Sequence, residues 1–144
     1  MAQINPYITF KGNCEEAFNF YKSVFGGEFP YIGHYKDTPS SPEYQIPEAE
    51  QDKIMHVSLP ISKETLLMGS DVMNSYSHMT TVGNTISISI NVDSEEEAHR
   101  LFNGLSEGGR VTMPLEKTFW APLFGMFTDK FGISWMLNYE NKGE

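Results

Sequence analysis

The chain has 144 residues, 40% of them hydrophobic and 13% aromatic, with a formal net charge of −9. That is enough apolar material for one folded interior, whereas either half, at about 70 residues, would be marginal by itself. Ten scattered Lys and Arg residues argue against a nucleic-acid partner, because neutralising phosphates takes clustered cations. The lone Cys14 permits no intramolecular disulfide and suits a reducing compartment. With no basic-then-apolar leader and no run of about 18 apolar residues, a cytoplasmic protein with no membrane partner is expected.

Ile4, Pro6, Ile8 and Phe10 alternate with Asn5, Tyr7 and Thr9, the period of a half-buried strand. Gly12-Asn13 breaks it, and a helix is predicted from Asn13 to Phe25. Asn13 would be its N-cap, and Glu15 and Glu16 would favour its first turn. Ala17, Phe20, Tyr21, Val24 and Phe25 give it a buried stripe, and Gly26-Gly27 a stop. A strand is expected over Glu28–Lys36, then an acidic loop, Asp37–Lys53, carrying Glu43, Glu48, Glu50 and Asp52. A connection of this length is either an exposed link or a flap over a ligand; its charge is read as solvation.

Ile54–Ile61 reads as a strand with Met55, Val57, Leu59 and Ile61 on one side and His56 and Ser58 on the other. Thr65–Gly69 is a further strand, and the polar stretch 71–84 a linker. In the strand Thr85–Val92, Ile86, Ile88, Ile90 and Val92 face one way, and Ser87, Ser89 and Asn91 the other. Ser94 and Glu97 form a capping-box pair at the start of a second helix with the stripe Ala98, Leu101, Phe102 and Leu105. Strands follow at Arg110–Leu115, Leu123–Thr128 and Ser134–Tyr139, the last two joined by a turn at Asp129-Lys130-Phe131-Gly132.

The chain therefore repeats itself. Strand, acidic-started helix and glycine pair recur after about 80 residues, the second glycine pair being Gly108-Gly109. The expected architecture is α+β: one domain over 1–144, made of two βαβββ modules (1–70 and 85–144) that pair into a curved mixed sheet with a central trough. One helix would cover one face of each sheet, leaving the opposite face for chemistry.

Several segments carry a family resemblance: Asn5-Pro6-Tyr7-Ile8 with Phe10, Gly12 to Ala17, Phe20-Tyr21, Phe25-Gly26-Gly27, Met55-His56, Leu67 to Asp71, Trp120, Gly125, Asp129 to Gly132 and Trp135. In order and spacing they resemble the vicinal oxygen chelate superfamily of glyoxalases, bleomycin-resistance proteins and extradiol dioxygenases, and within it the PhnB-like branch. The resemblance implies a divalent metal held by His and Glu from trough-lining strands. Those positions fall here on Asn5 or Pro6, Leu67 or Met68, Ser87 and Met136. Such residues are poor ligands for hard or borderline divalent ions, so no metal or other cofactor is expected, a displaced divalent ion being the alternative. PhnB-like chains are also labelled ubiquinone methyltransferases, yet this one has no glycine-rich strand-to-helix loop suited to a nucleotide-like cofactor.

His56 is the candidate catalytic residue, as a general base or ligand anchor, set against a hydrogen-bonded structural histidine. With His78 and Asp71 it would make the displaced metal site. Tyr7, Ser58, Ser87, Ser89 and Asn91 offer hydrogen bonds along the trough. Met68, Met113, Met126 and Met136 offer an adaptable apolar lining or simply core. Trp120 would stack on a ligand or pack in an interface. Cys14 is read as structural, and His34 and His99 as incidental. Two functions stay open: a metal-independent binding protein for a small, partly apolar or aromatic molecule, forming a homodimer, or a lyase, transferase or dioxygenase using His56 or a displaced metal.

Overall fold

A computed structural model describes residues 2–39 and 45–140. Glu43 of the acidic loop lies outside them, as does the end of the second module beyond residue 140. The chain divides into two compact units, Met1–Thr81 and Val82–Glu144.

The first unit contains β1 (Tyr7–Phe10), α1 (Cys14–Phe25), β2 (Tyr31–His34), β3 (Ile54–Pro60) and β4 (Leu66–Asp71). Its sheet runs in the order β1-β4-β3-β2, with β1 parallel to β4 and the other pairs antiparallel. The second unit repeats this with β5 (Ile88–Val92), α2 (Glu95–Ser106), β6 (Arg110–Glu116), β7 (Leu123–Thr128) and β8 (Ser134–Tyr139), in the order β5-β8-β7-β6. The α+β expectation of two βαβββ modules holds, as two four-stranded mixed sheets.

In the first unit alternation along β1 buries Ile8 and Phe10, while Leu67, Gly69 and Asp71 turn inward from β4. Cys14, Ala17, Phe18 and Tyr21 are fully buried on α1, one helical stripe. The stripe differs from the predicted one. Phe18 replaces Phe20, Val24 and Phe25, which are half-buried. Phe18 packs edge-on against Phe10 and Tyr21, with ring centroids at 6.1 and 5.5 Å. A Cβ on Gly69 would lie 2.6 Å from its ring. The helix ends where Gly26 and Gly27 adopt φ of 84° and 85°, backbone that favours glycine.

Asn13 makes no side-chain cap. Asp71, read from sequence as a linker residue, is instead the last residue of β4 and does that work. Its Oδ1 accepts the Gly12 and Cys14 N–H groups at 2.9 Å, and its Oδ2 accepts that of Ile54 at 2.9 Å. One buried carboxylate thus ties the start of α1 to β3 and β4.

The β3 stripe also departs from strict alternation. Gly33 pairs with His56 but His34 with Ile54, so Met55 is an extra residue. The bulge puts Ile54 in the core and leaves Met55 half-buried, accepting a hydrogen bond from Thr38 at its sulfur.

In the second unit the predicted stripe Ala98, Leu101, Phe102 and Leu105 is buried, and the Ser94 hydroxyl accepts the Glu97 N–H at 3.1 Å. Asp129 closes the β7–β8 turn. Its Oδ1 accepts from the N–H groups of Phe131 and Ile133, and its Oδ2 from Trp135 Nε1 at 2.9 Å. Trp135 then stacks on Phe127, which meets Phe102 edge-on.

Candidate functional site

The helix covers one face of each sheet, and cross-strand register defines what stands on the other. In the first unit Tyr7 pairs with Met68, Met68 with Ser58, and Ser58 with Tyr31. These four form one row across β1, β4, β3 and β2. The next row holds Thr9, Ser70, His56 and Gly33, since Thr9 pairs with Ser70 and His56 with Gly33. Of the predicted residues, Tyr7, His56, Ser58 and Met68 therefore share one surface.

His56 is the centre of that surface. Tyr7 Oη lies 3.2 Å from His56 Nδ1, and their rings stack with centroids at 5.6 Å. The Tyr31 ring flanks the imidazole at 5.8 Å. Sequence pattern alone does not single out Tyr31, because only register brings it to His56. Its ring folds back over Gly33, where an added Cβ would lie 2.5 Å from its hydroxyl, so glycine is what allows the approach. Both tyrosines are 48% exposed. Ser58 is buried within the row, between Met68 and Tyr31. No strand residue on this face carries a fixed charge, because Asp71 points to the core.

On the second sheet the corresponding row is Ser89, Met136, Met126 and Met113. Ser87 precedes β5 instead of lying in it, and Ile86 beside it is exposed. Asn91 lies in the next row, where Asn138 Nδ2 donates to its Oδ1 at 3.4 Å. Trp120 sits in the β6–β7 connection, half exposed, edge-on to Phe119 and Phe124 at 4.7 and 5.4 Å. Mutual hydrogen bonds between Thr118 and Ala121 hold that tip.

The displaced metal site is not assembled. Asp71 is committed to three backbone N–H groups, and His78 is exposed on a 3-10 stretch, Asn74–Met79. Among the described residues no three His, Cys, Asp or Glu side chains group as a metal site requires. At the positions implied by the resemblance the donors are also wrong for a divalent ion. Asn5 Oδ1 already accepts the Leu66 N–H at 3.0 Å, and Met68 and Met136 present thioethers.

The remaining candidates have structural settings. Burial, reinforced by the nearby Asp71 carboxylate, drives the Cys14 thiol well above its ordinary range, so it is held protonated. His34 is less incidental than expected. Its backbone N–H donates to Asp37, and its Nε2 lies 3.4 Å from Glu15 Oε1. His99 is exposed beside Glu95. The acidic loop is not merely solvated. Glu50 is buried, pairs with Lys53 and accepts the Asn74 N–H, which holds its carboxyl below the usual range.

The model of the 3-demethylubiquinone-9 3-methyltransferase family matches residues 2–138. The chain belongs to this PhnB-like family. It is 46% identical to protein PA1353 from Pseudomonas aeruginosa, covering 99% of this chain and 100% of that one, with a TM-score of 0.85. Protein YjdN of Escherichia coli K12 is 33% identical, with 94% of this chain and 93% of the relative covered. The PhnB protein of Bacillus cereus is 27% identical over 96% and 99%, with a TM-score of 0.75. At the level of fold alone, the PhnB-like chain matches a glyoxalase/bleomycin resistance protein/dioxygenase family enzyme from Burkholderia phytofirmans, 15% identical over 94% and 95%, with a TM-score of 0.60. That likeness shows a shared fold, the one the sequence resemblance implies.

Proposed function

We propose that the protein binds a small, uncharged, partly aromatic molecule on the open face of its first sheet, without a divalent metal. The observation that carries this is the line of rings Tyr7, His56 and Tyr31, held side by side and half open to solvent. Aromatic faces with a polar edge are well suited to a flat ligand that also forms hydrogen bonds. The uncharged strand residues favour a neutral ligand, and the thioether of Met68 supplies an adaptable floor.

The family's description speaks of methyl transfer, and the local structure lends that no support. The two strand-to-helix junctions, 11–13 and 93–94, contain Gly12 as their one glycine, unlike a phosphate-cradling loop. Self-association as a homodimer and a cytoplasmic setting complete the proposal.

The test is a panel of neutral aromatic compounds titrated into the protein, read by shifts of the His56 imidazole and Tyr7 and Tyr31 ring signals in NMR. Binding that Tyr31→Ala weakens at least tenfold is expected. Binding that leaves these rings undisturbed overturns the reading.

One observation favours a second reading. The 3.2 Å Tyr7–His56 pair is a ready proton relay, and His56 would act as acid or base on the bound molecule. Turnover abolished by His56→Ala, with ligand binding retained, would select the enzyme.

A further inference from the structure

The second sheet carries a donor set of a different kind. We propose that Met113, Met126 and Met136 form a site for a soft monovalent cation, copper(I). Met136 pairs with Met126, and Met126 with Met113, so three thioethers from adjacent strands stand in one row on the open face. Met126 and Met136 are half-buried and Met113 is exposed, so none of the three is a fully buried core side chain.

The row exists because of a bulge. From the pair Val111–Phe127 to the pair Met113–Met126, β6 advances two residues while β7 advances one. Without the extra residue, Thr112 would stand opposite Met126, and Met113 would turn to the helix face opposite Gly125. Bulges re-aim side chains in this way, and here the result is a third thioether beside two others. Strands lie about 4.8 Å apart, so the outer methionines start about 10 Å from each other. Their flexible side chains can lean inward to share one ion.

Chemistry selects the occupant. Thioethers are neutral, soft ligands that suit copper(I) and bind hard or borderline divalent ions poorly. The position on the last strand where the resemblance implies a carboxylate is Met136, so softness replaces charge at that point. The flanking rows hold Arg110, paired with Thr128, and Glu116, paired with Phe124. One cation and one anion leave little net field, so donor type is what discriminates.

The experiment is an anaerobic titration with ascorbate-reduced copper(I) against the chromogenic chelator bicinchoninate. It uses a Cys14→Ala background so that the lone thiol does not contribute. Methyl-labelled methionine NMR on the wild-type chain reads the same binding independently. One copper(I) per chain is expected, with the methyl signals of Met113, Met126 and Met136 shifting together. Met126→Leu keeps the volume and is expected to weaken binding at least tenfold, whereas Met79→Leu on the exposed 3-10 stretch leaves it unchanged. No competition with the chelator, or binding that Met126→Leu does not weaken, overturns the site. Neither result bears on ligand binding at the first sheet.

Discussion

Replacing Asp71 by Asn tests the largest structural claim made for a single side chain. Asp71 is 2% exposed and accepts three backbone N–H groups, from Gly12, Cys14 and Ile54. Asparagine keeps one oxygen and can serve Gly12 and Cys14, but as neutral hydrogen bonds, a loss of about 1 kcal/mol each. Its amide nitrogen then faces the Ile54 N–H, donor against donor, leaving a buried group unsatisfied at about 1–3 kcal/mol. The expected loss is about 3–5 kcal/mol, and Asp71→Ala, which orphans all three donors, should lose more. With a urea m-value of about 2 kcal/mol/M, the midpoint should fall by about 2 M. Far-UV circular dichroism is the suitable readout, because both tryptophans, Trp120 and Trp135, belong to the second unit. A midpoint within about 0.3 M of wild type, equal to about 0.6 kcal/mol at that m-value, would refute the assignment of Asp71 as the clamp.

Gly69→Ala should cost about 1–3 kcal/mol by overpacking, because the new methyl would lie 2.6 Å from Phe18 Cε1 and 2.9 Å from the Ile8 carbonyl; urea unfolding measures it. Cys14 should resist iodoacetamide in the native protein and react on denaturation. Its folded-state pKa lies above the ordinary 9.0, so its contribution is fully present below pH 9 and is lost as pH rises beyond it. A Cys14→Ala variant should therefore show a flatter fall in alkaline stability. Glu50 runs the other way: its lowered pKa contributes stability above pH about 4.5 that disappears on acidification, and Glu50→Gln should flatten the acid limb of stability against pH.

Local pattern was enough where one helix stripe had no competitor. Ala98, Leu101, Phe102 and Leu105 are α2's own apolar face. In α1 four aromatic residues lie within eight positions (Phe18, Phe20, Tyr21 and Phe25), and periodicity alone admits more than one stripe. Tertiary packing against Phe10 and Gly69 selected Phe18. The bulge at Met55 and the role of Asp71 have no local signal. Asp71 stands in a polar Ser-Asp context that reads as loop, and its three donors come from residues 17 to 59 positions away. The candidate site divides the same way. Alternation puts Tyr7, His56 and Ser58 on open faces, whereas Met68, readable from sequence as lining or as core, and Tyr31 join them only through register.

The internal repeat sharpens what fold similarity can carry over. The same strand order serves both units, and the inward positions are filled for the same purpose: apolar side chains under a helix, with one buried aspartate saturating three donors, remote in sequence for Asp71 and local for Asp129. Apart from a methionine on β4 and on β8, Met68 and Met136, the open rows are not repeated. Tyr7, Met68, Ser58 and Tyr31 occupy the first sheet where Ser89, Met136, Met126 and Met113 occupy the second. Within one chain, then, an identical topology presents hydrogen-bonding rings on one surface and soft thioethers on the other. A relative that shares only the fold constrains the inward positions and leaves these rows free to differ. The chemistry must follow the row residues, which is why Tyr31→Ala and Met126→Leu are expected to separate two binding functions that the strand order treats alike.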